Sequence, residues 1–122
     1  MSLKKSTVGL ALLMGALVAS AGFADAHAKL LQSDPAANST VPAPKAITLT
    51  FSEKIAPAFS GFDLAMGDGM TMQVMTKVSD DGKTITGMPM GSFTAGTYKI
   101  TWHAAAVDDG HRTEGSFIFT VK

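Results

Sequence analysis

Two stretches near the C-terminus alternate apolar and polar side chains with a period of two. From Gly96 onward, Tyr98, Ile100 and Trp102 face one way, and Lys99, Thr101 and His103 face the other. Further on, Phe117, Phe119 and Val121 alternate with Ser116, Ile118 and Thr120 to the end of the chain. Neighbouring side chains of a strand point to opposite faces of its sheet, whereas a helix repeats every 3.6 residues, so this pattern demands strands with one buried face.

The same logic runs back through the chain. Ala28 to Ser33 reads as a short first strand ended by Asp34-Pro35, and residues 38–44, rich in turn formers, as a connection. Ile47, Leu49 and Phe51 alternate with Thr48, Thr50 and Ser52. Glu53 to Ser60 is a loop around Pro57 with room for one helical turn. Phe62, Leu64 and Met66 alternate next, Gly67-Asp68-Gly69 is a turn, and Met72 to Val78 is a strand. Asp80-Asp81-Gly82 makes a hairpin turn with its return over Lys83 to Thr86. Met88-Pro89-Met90-Gly91 begins a further loop. About seven short strands with close-set turns, and no helix-period segment after residue 26, predict an all-β antiparallel sandwich.

Residues 1–26 have the form of a secretory signal. Lys4 and Lys5 give a positive start, Val8 to Ala19 an apolar stretch too short for an ordinary spanning helix, and Ala24-Asp25-Ala26 a small-x-small cleavage motif. Cleavage there makes His27 the first residue of one domain, residues 27–122. A rival cut after Ala19-Ser20-Ala21 leaves Gly22 first. The full chain carries 10 basic and 10 acidic residues. A balance this even argues against nucleic acid and against a polybasic membrane patch, and no direct membrane insertion is expected once the leader is gone. The sequence has no cysteine, which removes thiolate zinc sites and the cysteine-dependent blue-copper centres of electron-transfer cupredoxins.

Between the last two strands stands Asp109-Gly110-His111. On extended backbone the carboxylate and the imidazole point the same way and can meet one ion, and Gly110 adds no bulk and lets the chain bend. The tripeptide is also ordinary turn chemistry. An N-terminal His27 adds weight, because its free α-amine and its Nδ1 can close a chelate ring on one metal. The amine, two imidazoles and a carboxylate form a nitrogen-rich set of the kind that suits Cu(II). These ligands bind in their deprotonated forms, so affinity is expected to fall below neutral pH. The plain alternative is that His27 merely follows the signal.

The segments collected above are those of a known family. His27 after the signal, Ser33-Asp34-Pro35, residues 47–53, residues 95–102, Asp109-Gly110-His111 and residues 115–121 together resemble the CopC family of periplasmic copper resistance proteins. The resemblance implies an Ig-like, cupredoxin-related Greek-key sandwich. It implies Cu(II) held by the residues that fall on His27, Asp109 and His111, and copper exchange with an inner-membrane transporter of the CopD type. Some members carry a second, methionine-rich Cu(I) site. The corresponding region here, residues 66–75, lacks the histidine and the denser M-x-x-M spacing of two-site members.

Other residues are weighed singly. Thioethers favour Cu(I), so Met70, Met72 and Met75 are the soft-metal candidates, with Met88 and Met90 reachable from a neighbouring loop. Methionine also fills cores, and Met66 and Met72 fall at inward positions. His103 reads as a surface histidine, Asp108 and Glu114 as charges beside the site, and Trp102 as core under the loop. A copper carrier or buffer, not an enzyme, is the expectation. Two rivals stand beside it. One is a histidine-chelate oxidative enzyme like the polysaccharide monooxygenases. The other is a metal-free structural sandwich, which needs the three ligand candidates to lie apart.

Overall fold

The structure, a computed structural model, describes residues 27–122. The proposed leader, residues 1–26, and the rival start at Gly22 lie outside the described residues. Nine strands follow in order: β1 (Leu30–Asp34), β2 (Thr40–Val41), β3 (Ile47–Phe51), β4 (Gly61–Met66), β5 (Thr71–Met72), β6 (Val74–Val78), β7 (Thr84–Pro89), β8 (Gly96–Ala105) and β9 (Arg112–Val121). A single 3-10 turn, Pro57–Phe59, sits between β3 and β4. The strands form two sheets, ordered β1-β3-β7-β6 and β2-β9-β8-β4-β5. This is the expected all-β Greek-key sandwich. No helix among the described residues is long and apolar enough to cross a membrane.

The core is what the alternation demands. Ile47, Leu49 and Phe51 of β3, Ile85 of β7, Leu64 of β4, Tyr98 and Ile100 of β8 and Phe119 of β9 meet between the sheets, essentially without solvent contact. Tyr98 stacks on Phe119 with ring centres 5.6 Å apart. Its hydroxyl donates to the Thr94 carbonyl at 2.8 Å and accepts from the Thr94 amide at 2.9 Å, which satisfies the one polar atom the ring carries inward. Trp102 packs edge-on to Phe51, with centres 5.3 Å apart. Gly87 faces the same interior; a Cβ there would stand 2.3 Å from Phe62 Cζ, so the missing side chain is the room the phenyl ring occupies.

Two departures from the seven expected strands have physical causes. The single strand expected over residues 72–78 is two. Met72 pairs with Leu64 in the five-stranded sheet, and after Gln73 the chain crosses to pair with β7 in the other. Alternation reports a buried face but not which sheet owns it. The second is β2, placed in the expected connection, which pairs in parallel with the end of β9 through Thr40↔Thr120 and Val41↔Val121. A two-residue edge pairing is too short to leave a period. Met88 and Pro89, expected in a loop, complete β7.

Candidate metal centre

Strands β8 and β9 pair along their whole length, from Gly96↔Val121 to Ala105↔Arg112, and the turn closing them carries the Asp-Gly-His motif. The Gly110 amide donates to the Ala106 carbonyl at 2.9 Å, and the Ala106 amide to the His111 carbonyl at 3.1 Å. Gly110 has φ +67°, a left-handed conformation that costs glycine little. The turn is anchored sideways by the Val107 amide on the Lys54 carbonyl at 2.9 Å and by the Ile55↔Ala106 bridge.

The extended backbone expected to align the motif is not what aligns it. Asp109 and His111 lie in a tight turn. The two side chains converge because Asp109 Oδ1 accepts the His111 amide proton at 2.9 Å, a local bond of the kind aspartate makes two residues ahead in turns. Asp109 Oδ2 is left to point elsewhere.

It points to the other end of the described chain. Ala28 is buried, and the Lys29 amide and carbonyl bond reciprocally with Ser52 Oγ and the Ser52 amide, each at 2.9 Å. Thr113 Oγ1 donates to the Ala28 carbonyl at 2.8 Å. These contacts bring His27 beside the turn, its Nδ1 3.5 Å from Asp109 Oδ2 and its ring centre 4.2 Å from that of His111. One donor atom from each of His27, Asp109 and His111 lies within 4.8 Å of the others.

At 3.5 Å, the His27–Asp109 approach is too long for a good hydrogen bond. Nδ1 of His27 is shielded from solvent and makes no hydrogen bond. An unpartnered buried nitrogen is costly, and a shared ion is one way to satisfy it. The His27 and Asp109 side chains keep 43% and 32% of their exposure, so the cluster as a whole opens to solvent. Two imidazoles and a carboxylate in this arrangement can hold a borderline divalent cation.

The remaining singled-out residues fall outside this cluster. Asp108 is exposed on the same turn. Glu114 pairs with Arg112 at 3.4 Å, both largely in water, where such a pair contributes little. His103 sits on β8 between Gly61 and Glu114, its ring against Gly61. Trp102 is buried on β8, short of the end that leads into the turn. Of the methionine candidates, Met72 belongs to the core at 7% exposure, whereas Met70 and Met75 are 64% and 63% exposed. Met75 stands directly opposite Met88 in the β6–β7 pair, and the Met90 amide donates to the Gln73 carbonyl. Reading the sequence assigned no role to Thr113 or Ser52, the second of which borders a cleft with His27. No local pattern marks them, because each acts across a long stretch of chain.

A family model described as the CopC domain matches residues 30–122. Copper resistance protein C of Xanthomonas campestris pv. juglandis is 39% identical over 117 residues, spanning 90% of this chain and 91% of that protein. Copper resistance protein C of Escherichia coli is 40% identical over 126 residues, spanning 96% and 99%. The crystal structure of PcoC, a methionine-rich copper resistance protein from Escherichia coli, superposes with a TM-score of 0.73 at 36% identity, covering 80% of this chain and 100% of that one. With its fold, its matched length and its relatives in agreement, this chain belongs to the CopC family.

Proposed function

We propose that the chain serves copper resistance as a periplasmic Cu(II) carrier or buffer. Residues 1–26 export it, cleavage leaves His27 first, and the His27 amine and imidazole, the Asp109 carboxylate and the His111 imidazole hold one ion. The observation that carries this is the convergence of His27 Nδ1, unpartnered and shielded, with Asp109 and His111 from opposite ends of the described chain. The relatives' names supply the metal, and the donor set agrees: Cu(II) favours nitrogen-rich, roughly square coordination and tops the divalent affinity series.

Partial exposure of the ligands suits exchange. An incoming donor can reach the ion before the outgoing ones release it. The recipient is an inner-membrane copper transporter of the CopD type. An oxidative enzyme is less well supported: Trp102 and Tyr98 are buried and offer no face for a sugar, and a carboxylate ligand from Asp109 would occupy a coordination position that oxygen chemistry needs open. The metal-free sandwich requires scattered ligands, and these lie together.

Met75 opposite Met88, both exposed, supports a second, weaker reading. Soft thioethers there, with Met90 and Met70 as further donors, would take Cu(I). Met72 would have to leave the core to join them.

Intact mass of the exported protein, with and without added Cu(II), tests the main reading. The expected result is a chain that starts at His27 and gains one copper. A start at Gly22, or no gain, overturns it.

A further inference from the structure

The segment carrying His27 is fastened to both sheets. Ser52, just past β3, grips Lys29 on the four-stranded side. Thr113, on β9 of the five-stranded side, grips Ala28. The two contacts are not equivalent for the site. Ser52 holds the segment to the four-stranded side, which reaches the Asp-Gly-His turn only through the Val107 amide on the Lys54 carbonyl and the Ile55↔Ala106 bridge. Thr113 lies two residues beyond His111 and bonds the carbonyl of the residue next to His27. One hydroxyl therefore ties together the two chain segments that bear the facing imidazoles.

The bond is well made for that task. Thr113 Oγ1 lies 2.8 Å from the Ala28 carbonyl and 3.5 Å from the Ala104 carbonyl. A hydroxyl has one proton to give, and the shorter contact receives it. Thr113 is a β-branched residue within a paired strand, so its χ1 is restricted and the hydroxyl direction is set by the backbone of β9. Thr113 is partly buried and its partner Ala28 fully so, which limits competition from water.

We infer that Thr113 is a positioning residue: its hydroxyl, through the Ala28 carbonyl, sets the separation between the His27 and His111 rings. It touches no ion itself. Without it, Ser52 and the burial of Ala28 still dock the segment, but no directional bond fixes the His27 end of it against the strand that follows the turn. The consequence for copper rests on the function proposed above; the consequence for the two rings does not.

The experiment uses the exported protein, metal-free, with ring-proton contacts between His27 and His111 followed by NMR. Wild type shows them. T113V, which keeps the shape and removes the hydroxyl, loses them while the rest of the spectrum stays dispersed, and T113S restores them. Should T113V fail to fold, T113A gives the same comparison. In a parallel Cu(II) titration, the hydroxyl-deficient variant binds about five- to tenfold more weakly, the scale of one net hydrogen bond, with an altered EPR spectrum, and T113S binds as wild type does. Ring contacts that persist without the hydroxyl overturn the inference. Ring contacts that respond as described in a wild type that takes up no copper support it and sink the copper reading alone.

Discussion

Asp109 Oδ2 lies 3.5 Å from Nδ1 of His27, while its other oxygen accepts the His111 amide proton. One carboxylate thus shapes the turn and faces the residue at the start of the described chain. The two roles separate on substitution. Asp109→Asn keeps an oxygen for the amide, so the turn and the thermal midpoint should hold, but it removes the negative charge from the proposed donor. Copper affinity should fall by more than the ~10–100-fold typical of losing a partner outside the ligand set. Competition against a chromophoric chelator measures it. A D109N variant that binds copper as wild type does would remove the carboxylate from the site.

The free amine of His27 gives the second prediction. An internal histidine offers only its ring, whereas a terminal one offers ring and amine to the same ion. One extra residue ahead of His27, or His27→Ala, should therefore weaken Cu(II) binding sharply, while leaving the strands and the circular dichroism spectrum unchanged. The extension is the more telling variant, since it keeps the imidazole. Equal affinity in both variants would mean that the ion sits elsewhere.

How far these residues are legible in the sequence depends on the range of the interactions that place them. The alternation over β3, β8 and β9 names Ile47, Leu49, Phe51, Tyr98, Ile100, Trp102, Phe117, Phe119 and Val121 as inward, and the structure buries all but Phe117, which is half-buried against the core. A strand's period is a local signal, so local reading suffices. The crossing at Gln73 is not legible, because Met72 and Val74 each satisfy alternation on whichever sheet they join. The Asp-Gly-His motif is visible, but not what aims it: a turn with Gly110 at positive φ, rather than extended backbone, brings Asp109 toward His111. The grip of Thr113 and Ser52 on residues 28 and 29 spans long stretches of the domain and leaves no trace in either neighbourhood.

Proton competition gives the third prediction. The amine and both imidazoles bind a metal through the same nitrogens that bind a proton, so lowering the pH puts protons and copper in contest for one set of atoms. Apparent affinity should fall as pH drops below neutral. Titrations across mildly acid to neutral buffers would show the slope. A flat profile would mean that ligands of this kind are not used.

Trp102 and Gly115 face each other across β8 and β9, and the indole fills the space that a side chain at Gly115 would need. A Cβ there would stand 2.7 Å from Trp102 Cζ2 and 2.9 Å from Cε2. Trp102 cannot yield freely, since Phe51 meets its ring at 5.3 Å and only 9% of it is exposed. Gly115→Ala should therefore overpack the core, at a cost of about 1–3 kcal/mol. For a domain of this size each kcal/mol lowers the thermal midpoint by about 4–8 °C. The chain has one tryptophan, so its emission reports the displaced ring without ambiguity. The turn bearing Asp109 and His111 begins beyond the β8 end and keeps its own hydrogen bonds, so copper binding at low temperature should survive while stability drops. An unchanged midpoint with unchanged emission would show that the two strands open enough to admit the methyl group, and that the fit between Trp102 and Gly115 is looser than 2.7 Å implies.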